Sequence, residues 1–237
     1  FLSVNPTSKG ILSNLYNLIS KLHCSSVATI RTAWEQDLNY TFTEDTWDSV
    51  LDRIHSSSMC SWHALLQFKV VHRIHISKTK LARMYPDVDP TCDKCKGAPA
   101  SLYHMYWTCP SLGNFWTLVF HALSDILHHR IEPNPLTGIF GIAPDLNLHK
   151  AMLNFLAFAS LLARRAISLK WKDPAPPCCS HWLRDMISCM NLEKIRYTIR
   201  GSENKFYRIW RPFLVFYEKP STIIFDPAPK AAWNGPH

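Results

Sequence analysis

Residues 92–109 read CDKCKGAPASLYHMYWTC, which spaces Cys92, Cys95, His104 and Cys109 as C-x2-C-x8-H-x4-C. No other feature of the sequence restricts the fold as tightly. Three thiols and an imidazole in this order can converge on one tetrahedral zinc ion, and closing that ring fixes the backbone on both sides of it. The first two cysteines can turn their sulfurs to a common point, and Gly97 and Pro99 supply a loop before the turn LYHMYW carries His104. On a regular helix His104 and Cys109, five positions apart, would lie well off a common face. Pro110 disfavours helical geometry at Cys109, so the helix is expected to stop near Thr108 and let Cys109 swing back. Three thiolates and a neutral imidazole leave a net charge of about −1 around a dication, which Lys94 and Lys96 are placed to offset. Four protein ligands leave no open position for water, so a single structural zinc is expected. The alternative is four buried or disulfide-bonded residues that share the spacing by chance. The order of ligands, the turn chemistry and the proline stop weigh against it. The middle gap is longer than in the compact retroviral knuckle, and the H-x-E element of the zinc deaminases is missing near the cluster.

The remaining cysteines, four of eight in 237 residues, are too few and too irregular for a disulfide framework, which fits a reducing compartment, cytoplasmic and nuclear. With 47% hydrophobic residues and nine Trp the chain can bury a sizeable core; seven glycines and sixteen prolines point to long helices joined by Pro-rich loops. The fold class expected is therefore mainly α: helical bundles with a small zinc-binding knuckle. Residues 1–20 have neither a basic start nor a small-residue cleavage site, and the first residue is not Met, so a segment of a longer polypeptide is expected. The apolar run at residues 151–163 is shorter than the roughly 20 residues of a membrane span and reads as a buried helix; no membrane partner is expected.

Helical spacing is visible at residues 11–22 and 47–54, the second behind Thr43-Glu44-Asp45 as a start signal. Residues 60–74 are apolar around most of a helix, with Lys69, His72 and Arg73 forming a basic stripe. Ser77 can cap a short helix carrying Lys78, Lys80 and Arg83, which Pro86 ends. Ser111 is a plausible cap for a helix with apolar positions Leu112, Phe115, Trp116, Val119, Leu123, Ile126 and Leu127. Residues 132–145, with three prolines and two glycines, read as a linker. A second, basic bundle follows over residues 146–219, in helices at 146–171, 180–200 (stopped by Gly201) and 204–217, and residues 220–237 read as a disordered tail. The divisions expected are thus 1–67, 68–131, 132–145, 146–219 and 220–237.

Charge is uneven. Residues 35–52 hold six acids and no Lys or Arg, whereas residues 164–211 hold eleven basic residues against four acids. Residues 69–96 add seven basic residues against three acids, the footprint expected of a polyanion partner. The phosphate contacts expected are Lys69, Arg73, Lys78, Lys80, Arg83, Lys94, Lys96, Arg164, Arg165, Arg196, Arg200, Lys205 and Arg208. Phe206, Trp210, Phe213 and Tyr217 recur on one helix face and read as core rather than as a base-stacking platform. Cys178, Cys179, His181 and Cys189 make a poor second metal site, since adjacent cysteines bite badly and Cys189 sits within a helical pattern. No Gly-rich phosphate loop, nucleophile elbow or H-E-x-x-H is present.

Residues 68–116, from the H-R-x-H run through the ligand spacing to the F-W after Pro110, resemble the zinc-binding segment downstream of the polymerase in the second open reading frame of LINE-type, non-LTR retrotransposons. LLARRAISLKWKDPAPP and LEKIRYTIRGSENKFYRIWRPF are similar to its C-terminal continuation, and residues 1–67 more loosely to the region joining the polymerase thumb to it. The resemblance implies an RNA-binding, mainly helical appendage of a reverse transcriptase acting in target-primed reverse transcription, with Cys92, Cys95, His104 and Cys109 as zinc ligands. It implies RNA, an RNA–DNA hybrid or target DNA as partner, together with the upstream polymerase domain of the same polyprotein. No paired-aspartate polymerase motif or endonuclease signature lies in these residues, so the chain is expected to be no enzyme by itself. The alternative is a zinc-stabilised protein-interaction or scaffold module that kept the fold and lost RNA binding.

Overall fold

The computed structural model describes residues 28–218 together with Gly10, Ser13, Leu15 and Ile19. The helix expected at residues 11–22 lies largely outside the described residues, and the tail from Pro220 wholly so. The chain divides into two units, Phe1–Phe42 and Thr43–His237. In the first, α1 (Ala28–Leu38) ends where Asn39 turns left-handed at φ 50°. Glu35 then accepts from Arg31 at 3.1 Å and from the amide of Phe42 at 3.0 Å, which folds the exit segment back on the helix.

The second unit is built from α2 (Glu44–Ser56), α3 (Ser61–Val71), α4 (Lys78–Met84), α5 (Pro110–Leu127), α6 (Lys150–Leu169), α7 (Cys179–Ile199) and α8 (Glu203–Glu218). Among the described residues there is no strand; Thr91 and Pro99 form an isolated bridge. Thr43 caps α2 by accepting from the Thr46 amide at 3.2 Å, and Trp47, Val50 and Ile54 bury one face, as the spacing requires. Ser77 caps α4 in the same way through Lys80. The most apolar helix, α6, lies at the centre: it packs against α3, α5, α7 and α8, and Phe155, Leu156, Leu161, Leu162 and Ile167 are buried. It is long and apolar enough to pass for a membrane span, yet its apolar surface is spent on neighbouring helices.

Several expectations change. Residues 132–145 are not a linker: Leu136, Ile139, Phe140 and Ile142 are buried, and the π-helical turn Leu136–Phe140 packs against α6. The glycines there serve close approach rather than chain flexibility. A Cβ at Gly138 would sit 2.4 Å from the Trp107 ring, and Gly141, at φ 73°, lies with its Cβ position 3.1 Å from the Ala157 backbone. Because α5 also packs on α7 and α8, residues 68–131 and 146–219 share one core. α3 is shorter and wetter than its composition suggests, for Trp62, Leu65 and Phe68 are exposed. It ends before Arg73, which is left-handed at φ 55°, so Lys69 and Arg73 do not form a continuous helical stripe. In α8 Phe206, Trp210 and Phe213 are core, while Tyr217 is 55% exposed.

Candidate metal centre

The first two ligands sit on a reversed loop. The Cys92 amide donates to Ala98 at 2.9 Å, and the Lys96 amide donates to the Cys92 carbonyl at 2.9 Å. Reversal requires a left-handed residue, and it is Lys96, at φ 55°, rather than Gly97. The chain then turns the amides of Gly97 and Ala98 toward the Cys95 sulfur; the Gly97 bond above all holds that thiol below its ordinary range.

The other pair depends on a wide turn. Ser101 caps it by accepting from the His104 amide at 3.0 Å. Within His104–Thr108 the helix opens to π geometry, and the Cys109 amide reaches back five residues to the His104 carbonyl at 3.0 Å. Five residues more nearly complete one turn here than in an α-helix, so His104 and Cys109 come to the same side. Pro110 is the reason the turn stays open: it has no N–H to offer the Tyr106 carbonyl, and the Trp116 indole donates to that carbonyl instead, at 2.9 Å. Helix α5 starts at Pro110 with Cys109 as its extended cap, so the expected cap at Ser111 is corrected. The Ser111 amide is aimed at Cys109, whose thiol burial pushes up to about 11.

The four donor atoms lie within 4.8 Å of one another. Cys92 Sγ is 3.9 Å from Cys109 Sγ, and Cys95 Sγ is 3.4 Å from His104 Nε2. Metal bonds of about 2.3 Å to sulfur and about 2.0 Å to nitrogen, at tetrahedral angles, need S···S edges of about 3.8 Å and S···N edges of about 3.5 Å. The quartet therefore fits a dication of that size. Cys92, His104 and Cys109 are buried, and burial keeps the His104 imidazole below its ordinary pKa, in the neutral form that binds metal. With Nε2 toward the centre, Nδ1 faces the Thr108 hydroxyl at 3.5 Å, a partner that orients the ring. Among the described residues no other group of three or more Cys, His, Asp or Glu side chains converges, which excludes the Cys178, Cys179, His181 and Cys189 set.

The module is fastened to the C-terminal end of α6. Lys94 donates its ammonium to the carbonyls of Lys170 and Asp173 while facing Cys92 and Cys109. It closes the helix end and lies close to the cysteine sulfurs, as expected for charge balance, and its ammonium is engaged by those two carbonyls. Tyr106 Oη lies 2.6 Å from His75 Nδ1 and 2.8 Å from Ser168 Oγ, and the Trp171 indole donates to Ile76 at 3.1 Å. Arg164 is also corrected. It is fully buried, donates to the Gly138 carbonyl at 2.7 Å, and has its pKa pushed down to about 9 by burial.

The other expected cations divide by their partners. Lys78 and Lys96 share Asp93, at 2.9 and 3.4 Å, and Arg165 pairs with Asp185 at 2.5 Å. Arg196 lies 3.9 Å from the buried Glu193. Lys69 and Arg73 are half-buried, whereas Lys80, Arg83, Arg200, Lys205 and Arg208 are exposed. Sequence reasoning missed Ser101, Thr108 and the Lys94 tie. Only Ser101 carried a readable signal, a serine three residues before the helical ligand. No protein-family model matches the chain.

Proposed function

We propose that this chain is a non-catalytic, zinc-organised and RNA-binding C-terminal portion of a LINE-type retrotransposon reverse transcriptase, acting to hold template RNA during target-primed reverse transcription. The observation that carries this reading is the convergence of Cys92, Cys95, His104 and Cys109 at zinc-like separations within the stretch that carries the resemblance. In this reading the ion is zinc and its role is structural, because four protein donors close the site and the same residues set the start of α5. Lys80 and Arg83 on α4, and Arg200, Lys205 and Arg208 around the α7–α8 corner, are the exposed cations that support contact with phosphates. In this reading the protein, acting on template RNA, works in the cytoplasm and the nucleus. RNA binding is tested by titrating a structured transcript at several salt concentrations: affinity should fall steeply as salt rises, and affinity that is absent or indifferent to salt would reject it.

A scaffold or interaction module is the second reading. It is favoured by Leu192, Ile195 and Ile199, which recur along one side of α7 at 59%, 56% and 79% exposure.

A further inference from the structure

Helix α2 and the loop after it, the first half of α6 and the α7–α8 corner enclose an open groove of roughly 1260 Å³. Small-molecule sites occupy about 300–1,000 Å³, so this groove is sized for a length of extended polymer. Its charged lining is unbalanced: Arg53, Lys150, Arg200 and Lys205, with His55, stand against Asp52 and Glu193. Glu193 is already committed, since it is 5% exposed and accepts from the Ser58 hydroxyl at 3.1 Å. Arg53 is held in the wall by the Asn154 side-chain oxygen at 2.8 Å, which fixes the cation in place before any ligand arrives. Serine hydroxyls and aromatic rings, Phe68 and Tyr197 among them, also line it, so the groove offers charged, hydrogen-bonding and apolar surface together.

We infer that this groove seats a single nucleic-acid strand, with its phosphates on Arg53, Lys150, Arg200 and Lys205 and its sugars and bases against the serines, Tyr197 and Phe68. The inference rests on the RNA-binding reading and narrows it. A single strand can follow the groove to the half-buried Arg53 and Tyr197, whereas a duplex carries its phosphates on the outside of a broad cylinder and meets only the rim. Arg53 and Lys150 are contacts that charge density along the sequence does not suggest, because Arg53 sits beside the acidic stretch and Lys150 stands alone before an apolar helix. The position also separates two roles. Lys150, Asn154 and Phe158 belong to the first half of α6, whereas Lys94 and Tyr106 fasten the metal centre to its last turn and the carbonyls beyond. An α-helix of 20 residues is about 30 Å long, so metal and strand act at opposite ends of one rod.

The test is fluorescence anisotropy with a fluorescein-labelled twelve-nucleotide oligo(U), a duplex RNA of the same length and a structured transcript. The proteins compared are the wild-type chain, Lys150→Ala with Lys205→Ala in the groove, and, as a control pair outside it, Arg130→Ala with Arg184→Ala. All four substituted side chains are exposed, and circular dichroism and metal content should match wild type. Oligo(U) should bind in preference to duplex. The groove pair should weaken oligo(U) binding and make the slope of log K against log salt shallower by about 1.4, at about 0.7 per phosphate contact on a single strand. The control pair, which neither lines the groove nor belongs to the expected phosphate contacts, should leave oligo(U) affinity unchanged, and Arg200→Ala should weaken it in the same direction as the groove pair, with the slope shallower by about 0.7. If the chain binds the structured transcript but not oligo(U), or if the groove pair binds oligo(U) as wild type does, the groove assignment is overturned and the RNA-binding reading stands. If the wild-type chain binds none of the three RNAs, both fall.

Discussion

Replacing His63 with Asn should flatten the acid limb of the stability profile. His63 is 8% exposed on α3, with Nδ1 2.9 Å from the Ser58 hydroxyl and its ring against Phe158. Burial first, then Arg165 and Arg196, push its pKa down to about 4 from an ordinary 6.5. Above pH 6.5 the imidazole is neutral in both folded and unfolded chains and contributes no pH dependence. As pH falls below 6.5 the unfolded chain takes up a proton that the folded chain refuses until about pH 4, so stability is lost across that window. A displacement of this size corresponds to about 3 kcal/mol, at most about 1.4 kcal/mol for each pH unit. Glu193, on the far side of Ser58, works in the opposite direction: burial raises its pKa, so the folded chain gains a proton first and the wild-type slope is partly offset. Acid also protonates the metal ligands, equally in both proteins. The quantity to read is therefore the difference between wild type and His63→Asn in urea-unfolding free energy at pH 7, 6, 5 and 4.5. Asn should be less stable at pH 7 because it fills less space, and this deficit should shrink as pH falls. Parallel profiles, or a His63 imidazole that titrates near 6.5 by NMR, would refute the reasoning.

Gly138→Ala should destabilise the chain by about 1–3 kcal/mol in urea melts, since the new methyl meets the Trp107 ring and either that ring or the turn must move. Lys96→Gly should raise stability by about 1 kcal/mol by relieving a left-handed lysine, with metal content unchanged, because its pair with Asp93 is exposed.

The parts of this molecule legible in sequence are those governed by local rules. Thr43 and Ser77 act as caps, the apolar period of α5 is buried where it recurs, and the ligand spacing brings four donors together. What escaped was tertiary in origin. Pro and Gly at residues 132–145 punctuate a loop equally well whether it is wet or packed, and only the Trp107 ring and the α6 backbone show that Gly138 and Gly141 are there for contact. A cation reads as a surface charge until its partners are known. Lys94 and Arg164 end on backbone carbonyls, a destination that sequence cannot display. The groove escaped for the same reason, since its walls come from three stretches far apart in the chain.

The central claim is that a metal ion held by Cys92, Cys95, His104 and Cys109 organises the second unit. Metal analysis of the purified protein, with limited proteolysis of α5, tests it most directly. The wild-type chain should carry one zinc per molecule and resist cleavage over Pro110–Leu127, while Cys95→Ser should carry none and be cut there, because Cys109 no longer fixes the start of that helix. A wild-type chain that is metal-free and still protected over α5 would contradict the account.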